Sequence, residues 1–203
     1  MTKILQIQTS PNLQASATRE LSNKFIAEYR DNHPGTTVVE RDLALASVPH
    51  LGVDLLGGMF AKPESLTPAQ QDAVALSDTL VDELLAADIL LLGVPMYNFG
   101  PPSSLKAWID HVVRAGKTFK YGEHGPQGLI TGKKAYVFMA AGGNYSQPPM
   151  TGMDFVEPYL KAILGFMGIT DVTFVRAEGL SMGSEAAEKA KTAASDKAER
   201  LAA

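Results

Sequence analysis

The chain has 203 residues, 45% hydrophobic and 20% charged, a balance that fits one globular domain over residues 1–203 and excludes disorder and collagen-like repeats. With 18 basic and 22 acidic residues the net charge is −4, which argues against nucleic acid or an anionic membrane surface as partner. There is no cysteine, so thiol catalysis, disulfides, thiolate zinc sites and iron–sulfur clusters fall away together.

Ile4–Gln8 reads as a first strand, bounded by Ser10-Pro11. From Ser16 the apolar period becomes helical, with Leu21, Phe25 and Tyr29 on one face until Pro34-Gly35. Thr37–Arg41 is a short second strand. Residues 43–66 mix turn residues with Leu55, Leu56, Met59 and Phe60, which predicts a long excursion rather than a core element. Thr67-Pro68-Ala69-Gln70 has the form of a capping box, opening a helix that carries Leu76, Leu80 and Leu84. Asp88–Val94 is continuously apolar, as a central parallel strand covered on both faces must be. After Pro95–Pro102, a helix from Ser103 presents Leu105, Trp108, Ile109 and Val112, with Gly116 placed as its C-cap. Ala135–Met139 is a fourth strand, followed by a helix over 155–166, a strand Val172–Val175 and a last helix from Ser184 to Leu201. Alternating strands and helices make an α/β chain: a five-stranded parallel sheet with helices on both faces, ligands binding outside the strands' carboxyl ends.

No apolar stretch is long enough to span a bilayer, and Met1–Gln6 turns polar too early for a secretory signal, so a cytoplasmic protein is expected. Gly179-Leu180-Ser181-Met182-Gly183 matches the nucleophile-elbow pattern, but His33, His50, His111 and His124 all precede Ser181, against the hydrolase order. A glycine-rich turn with Ser184 as helix cap is the plainer reading, and a Ser181 hydrolase stays as an alternative. Gly128–Lys134 falls one residue short of a P-loop and precedes a strand, so it reads as a turn. The histidines lack ligand spacing, and no metal site is expected; His111 reads as a packing or helix-surface residue.

Three loops at carboxyl ends remain. Ser10, Ser16 and Thr18, at the start of the first helix, suit a phosphate through hydroxyls and free amides, although Ser16 can equally be only a cap. Pro95-Met96-Tyr97-Asn98-Phe99-Gly100-Pro101-Pro102 offers a stiff backbone and apolar faces to a flat heteroaromatic ring. Ala140-Ala141-Gly142-Gly143-Asn144-Tyr145 allows backbone amides to approach a ring edge and steady negative charge on it. A mononucleotide with a large planar base fits all three, flavin mononucleotide (FMN) best.

Over nearly the whole chain, and most densely in Pro95–Phe99, Leu105-Lys106, Arg114–Tyr121, Gly125–Leu129, Gly132–Lys134, Pro158–Leu160, Leu164–Ile169 and Ala177–Gly179, the sequence resembles the FMN-dependent NADH-azoreductases, also described as quinone reductases, of flavodoxin-like fold. That resemblance implies FMN contacts at Ser10, at Ser16, Ala17 and Thr18, at Met96, Tyr97, Asn98 and Phe99, and at Ala140, Ala141, Gly142 and Gly143. Where family members often carry Ser-Arg-Gly-Gly, this chain has Ala140-Ala141-Gly142-Gly143, which removes hydroxyl and guanidinium contacts and leaves the backbone ones. The activity implied is two-electron transfer from NADH or NADPH through FMN to a quinone or azo acceptor, with no obligatory catalytic side chain. A non-enzymatic electron carrier or flavin-binding module is the competing class. A homodimer is implied as well, and the apolar Leu55, Leu56, Met59 and Phe60 give a physical reason for it. Phe99, Phe119, Tyr121 and Tyr145, with Phe60 from the partner, would line one aromatic cavity used by donor and acceptor in turn.

Overall fold

The computed structural model describes residues 1–203. Five strands, β1 (Lys3–Gln8), β2 (Thr37–Asp42), β3 (Ile89–Pro95), β6 (Lys134–Ala140) and β7 (Asp171–Ala177), form one parallel sheet in the order β2-β1-β3-β6-β7. Every residue of β3 is buried, as the unbroken apolar run demands. Helices α1 (Ala17–Asn32) and α6 (Ser184–Ala202) cover one face, around Phe25, Tyr136 and Phe138. Helices α3 (Pro68–Ala86), α4 (Ser103–Val112) and α5 (Glu157–Met167) cover the other, around Leu80, Trp108 and Leu164. The chain reverses direction across the sheet between β1 and β3, so a crevice opens there at the strands' carboxyl ends. No helix is long and apolar enough to cross a membrane.

Caps set several boundaries. Ser16 caps α1 by accepting from the Arg19 amide, and Thr67 with Gln70 completes the capping box of α3. Two expected caps are corrected. Helix α4 stops at Val112, well before Gly116, because the Thr118 hydroxyl donates to the Val112 carbonyl at 2.8 Å and accepts from the Arg114 amide at 2.8 Å. Gly116, with φ +79°, serves the next turn instead, its amide donating to the Phe119 carbonyl. Gly183 rather than Ser184 is the N-cap of α6, and no side chain caps that end.

The excursion is also more ordered than expected. Val53–Phe60 is a helix, α2, whose Gly58 lies so close to α3 that an added Cβ would stand 2.7 Å from the Val74 side chain. Leu55 is buried by this packing, whereas Val53, Leu56 and Phe60 remain exposed. Buried His111 ties the excursion down: its Nε2 lies 3.0 Å from the Pro49 carbonyl, so the ring is a packing residue. An unforeseen antiparallel hairpin, β4 (Phe119–Gly122) and β5 (Gly125–Gly128), lies outside the main sheet.

Candidate functional site

The three loops singled out above meet at one end of the sheet, beyond β1, β3 and β6. In the first, Ser10 and Thr18 are buried, and the Ser16 and Thr18 hydroxyl oxygens lie 3.0 Å apart. The amides of Ala17 and Thr18 make no hydrogen bond within the chain, as first-turn amides do. Asn12 folds the loop through its side-chain oxygen, which accepts from the Ala15 amide at 2.9 Å. Ser16 is therefore both the cap and a member of an anion-ready helix terminus.

Arg19, which sequence reasoning passed over, fixes this loop. Its guanidinium donates twice to the Ser10 carbonyl, at 3.1 and 2.7 Å, and grips Asp42 bidentately at 2.6 and 2.8 Å. The Arg19 hydrogen bond, helped by the Ala44 and Leu45 amides and opposed by burial, holds the Asp42 carboxyl below its usual range. A folded-state pKa lowered in this way adds stability above the unfolded value and loses it as pH falls through the folded one. Arg19→Met should thus cost about 1–2 kcal/mol at neutral pH, with the gap to wild type closing below about pH 4. Urea titrations at several pH values check this, and a pH-independent gap would rule out the ion pair as its source.

In the second loop, Tyr97 and Gly100 exchange backbone hydrogen bonds of 3.0 Å around Asn98 (φ 48°) and Phe99 (φ 69°), a type I′ turn made without glycine at either central position. Left-handed backbone at two such residues is strained, on the order of 1 kcal/mol each. The turn holds because Phe155 donates its amide to the Phe99 carbonyl at 3.0 Å. The strain leaves the Asn98 and Phe99 amides without partners in the chain.

In the third loop, the nucleophile-elbow motif finds its role. Leu180, Ser181 and Gly179 donate their amides to the carbonyls of Ala141, Gly142 and Gly143. Every carbonyl of the loop's core thus faces this turn, while the Gly142, Gly143 and Asn144 amides are left unpaired. Ala140 and Ala141 are buried, and Ala141 spends its amide on the Ala177 carbonyl, whereas the amides of the two glycines, the expected donors, are free. No histidine hydrogen-bonds to Ser181, which leaves an elbow-type serine without its base.

Met96, Asn98, Phe99, Gly142 and Tyr145 line a small cavity of about 250 Å³, with Phe99 and Tyr145 edge to face at 6.0 Å. A second cavity, of about 490 Å³, runs along Thr9, Pro11, Leu43, Tyr97, Asn98 and Ser103. Phe60, Phe119 and Tyr121 line neither within one chain. Phe119 is buried against Phe166 and Tyr121, Tyr121 is 75% exposed on the hairpin, and Phe60 is 80% exposed at the end of α2. No cluster of three or more His, Asp or Glu side chains has metal-binding geometry.

A family described as having a flavodoxin-like fold matches residues 2–201. The chain is 48% identical over 202 residues to an FMN-dependent NADH:quinone oxidoreductase of Azotobacter vinelandii, covering 100% of both. The crystal structure of an azoreductase from Bacillus anthracis str. Sterne superposes with a TM-score of 0.92 at 37% identity, covering 100% of this chain and 99% of the other. An FMN-dependent NADH-azoreductase from Bacillus anthracis str. Ames Ancestor, solved in complex with FMN, gives a TM-score of 0.90 at 28% identity, covering 100% of both chains.

Proposed function

The chain belongs to the flavodoxin-like fold family, and on that premise we propose that it is an FMN-dependent oxidoreductase taking electrons from NADH and delivering them to quinones and azo compounds. When bound, FMN supplies the redox chemistry, a two-electron exchange between nicotinamide and acceptor, so no side chain is assigned as obligatory acid or base.

The residues present fit that group, and the set of unpaired donors carries the reading. A phosphate requires hydrogen-bond donors; the unpaired Ala17 and Thr18 amides, the Ser10 hydroxyl and one hydroxyl of the hydrogen-bonded Ser16–Thr18 pair supply them at the positive end of α1. A flat ring with polar edges requires apolar surface beside oriented amides. Met96, Tyr97 and Phe99 supply the surface, and Asn98, Phe99, Gly142 and Gly143 the amides. The two glycine amides, fixed before any ligand arrives, would hold negative charge developing at the ring edge without reorganising. Tyr145 closes the site opposite Phe99, while Ala140 and Ala141 are buried behind it.

NADH and acceptor use one aromatic cavity in succession, a ping-pong scheme with broad acceptor tolerance because stacking surfaces select poorly among flat molecules. A homodimer completes that cavity: the exposed Val53, Leu56 and Phe60 of α2 pack on a second copy and bring Phe60 towards the Phe119–Tyr121 hairpin.

A fluorescence-quenching titration tests the core of this reading. FMN should saturate the protein in preference to FAD, since the donors at α1 suit one terminal phosphate, and absence of FMN binding would overturn it. Double-reciprocal plots of NADH against quinone should be parallel, whereas intersecting lines would refute the shared cavity. Light scattering at micromolar concentration should give twice the chain mass, and a monomer mass would reject the dimer.

A further inference from the structure

Arg176, in β7, stands outside the three loops yet is connected to two of them. Its guanidinium is shared by Asp154 at 2.5 Å, Glu178 at 2.9 Å and Glu157, and Lys161 also pairs with Glu157 at 2.5 Å. The same Glu178 oxygen that accepts from Arg176 accepts the Tyr145 amide at 3.1 Å. Asp154 accepts the amides of Val156 and Glu157 at 2.9 and 3.1 Å, and Phe155 between them holds the Phe99 carbonyl. A single guanidinium therefore anchors both the Asn98–Phe99 turn and the end of the Gly142–Gly143 loop, the two sides of the small cavity. Three carboxylates against two cations also leave one negative charge beside Tyr145, around a polar cavity of about 430 Å³ lined by Tyr145, Asp154, Glu157, Lys161 and Arg176.

We propose that the Arg176 cluster is a positioning element that sets the spacing of the two ring-flanking loops and, through its charge balance, the relative affinity of the site for oxidised and reduced FMN. The proposal rests on the FMN reading above. Its physical basis is that a planar guanidinium can fork to several carboxylates at once, whereas an ammonium cannot reproduce that geometry. The site-facing amides are set by backbone, and that backbone is held by the fork. Burial opposes the charges of Asp154 and Glu157. Hydrogen bonds from Arg176 to Asp154, and from Lys161 and Arg176 to Glu157, prevail and hold both carboxyls below their usual range, so these two are ionised at neutral pH.

The test is the dissociation constant of FMN in each redox state, read anaerobically by absorbance, together with the bound flavin's midpoint potential. Arg176→Met removes the fork and unmasks the carboxylates, and it should weaken reduced FMN about tenfold more than oxidised FMN, lowering the two-electron potential by about 30 mV. Arg176→Lys should restore the potential but not the affinity, since it returns the charge without the fork. Glu178→Gln keeps an oxygen for the Tyr145 amide and removes one negative charge. It should shift the potential the opposite way, which keeps the test decisive if Arg176→Met does not fold. Equal affinity changes in both redox states, or a Glu178→Gln potential equal to wild type, would overturn the proposal. Wild-type protein that fails to take up FMN would overturn the functional reading on which it stands.

Discussion

Gly128→Ala should cost about 3 kcal/mol or more, a large share of the stability of a domain this size. A Cβ built on Gly128 would lie 2.2 Å from the Gly168 nitrogen and 2.4 Å from the Met167 carbonyl carbon, both backbone atoms of the end of α5. Neither can move alone. Gly168 is the left-handed C-cap of α5 at φ +100°, and its own added Cβ would meet the Ile130 carbonyl at 2.7 Å. The hairpin is held there by the Ile130 amide on the Met167 carbonyl and the Leu129 amide on the Thr118 carbonyl, each at 2.9 Å. One methyl group must therefore separate two backbones or break those bonds. Gly165→Ala, on the exposed side of the same helix with nothing within 4 Å of the added carbon, is the control. It should stabilise by roughly 0.5–1 kcal/mol through helix propensity. Urea unfolding of both variants decides the matter: a loss below about 1 kcal/mol in Gly128→Ala would mean that the hairpin is not locked to α5.

Gly142→Val should slow both reduction by NADH and reoxidation by quinone by about a hundredfold, at a smaller cost in folding stability. Gly142 donates no bond inside the protein and gives its carbonyl to the Ser181 amide, so its amide direction is inherited from the 179–181 turn. An added Cβ would stand 2.8 Å from the Ser181 hydroxyl and 3.4 Å from the Ser181 Cβ, and valine's stiff, branched side chain adds bulk beyond that contact. Either the Ser181 side chain or the loop must then shift, and a shift of the loop takes the neighbouring amides with it. The Gly142→Ala, Ser181→Ala double variant removes the clash at its source and should recover most of the activity lost by Gly142→Ala alone. Stopped-flow measurement of each half-reaction checks this. Loss confined to one half-reaction would show that the loop serves a single substrate instead of the ring common to both.

The sheet was legible because its signals are local. The apolar run from Ile89 to Val94 requires cover on both faces wherever it lies, and Thr67 with Gln70 declares a helix start from four residues. Strand ends differed by a residue or two, since pairing with a neighbour, not the residues themselves, sets how far a ladder runs. The three loops could be named for a related reason: in a parallel sheet, chain order alone puts them at the same edge.

Helix α2 escaped because Gly57 and Gly58 are poor helix formers, and only close packing on α3 favours them. The β4–β5 hairpin has Glu123-His124 at its tip, without the Asn-Gly type of turn signal, and depends on the Gly128–Gly168 contact for its place.

By itself the sequence determined the layered α/β architecture, the edge where the candidate site lies and the residue types waiting there. Which of those residues have free donors, and which way they face, only the tertiary structure decided. Ala141 and Gly142 are neighbours, yet one amide is spent on Ala177 and the other is free, because β7 and the 179–181 turn lie on one side of the loop. Arg19 with Asp42, and Arg176 with Asp154, Glu157 and Glu178, look like ordinary surface charges until folding brings them together. Hydrogen bonds and ion pairs act over about 3 Å. Partners distant in the chain become readable only when the core has set where each backbone runs.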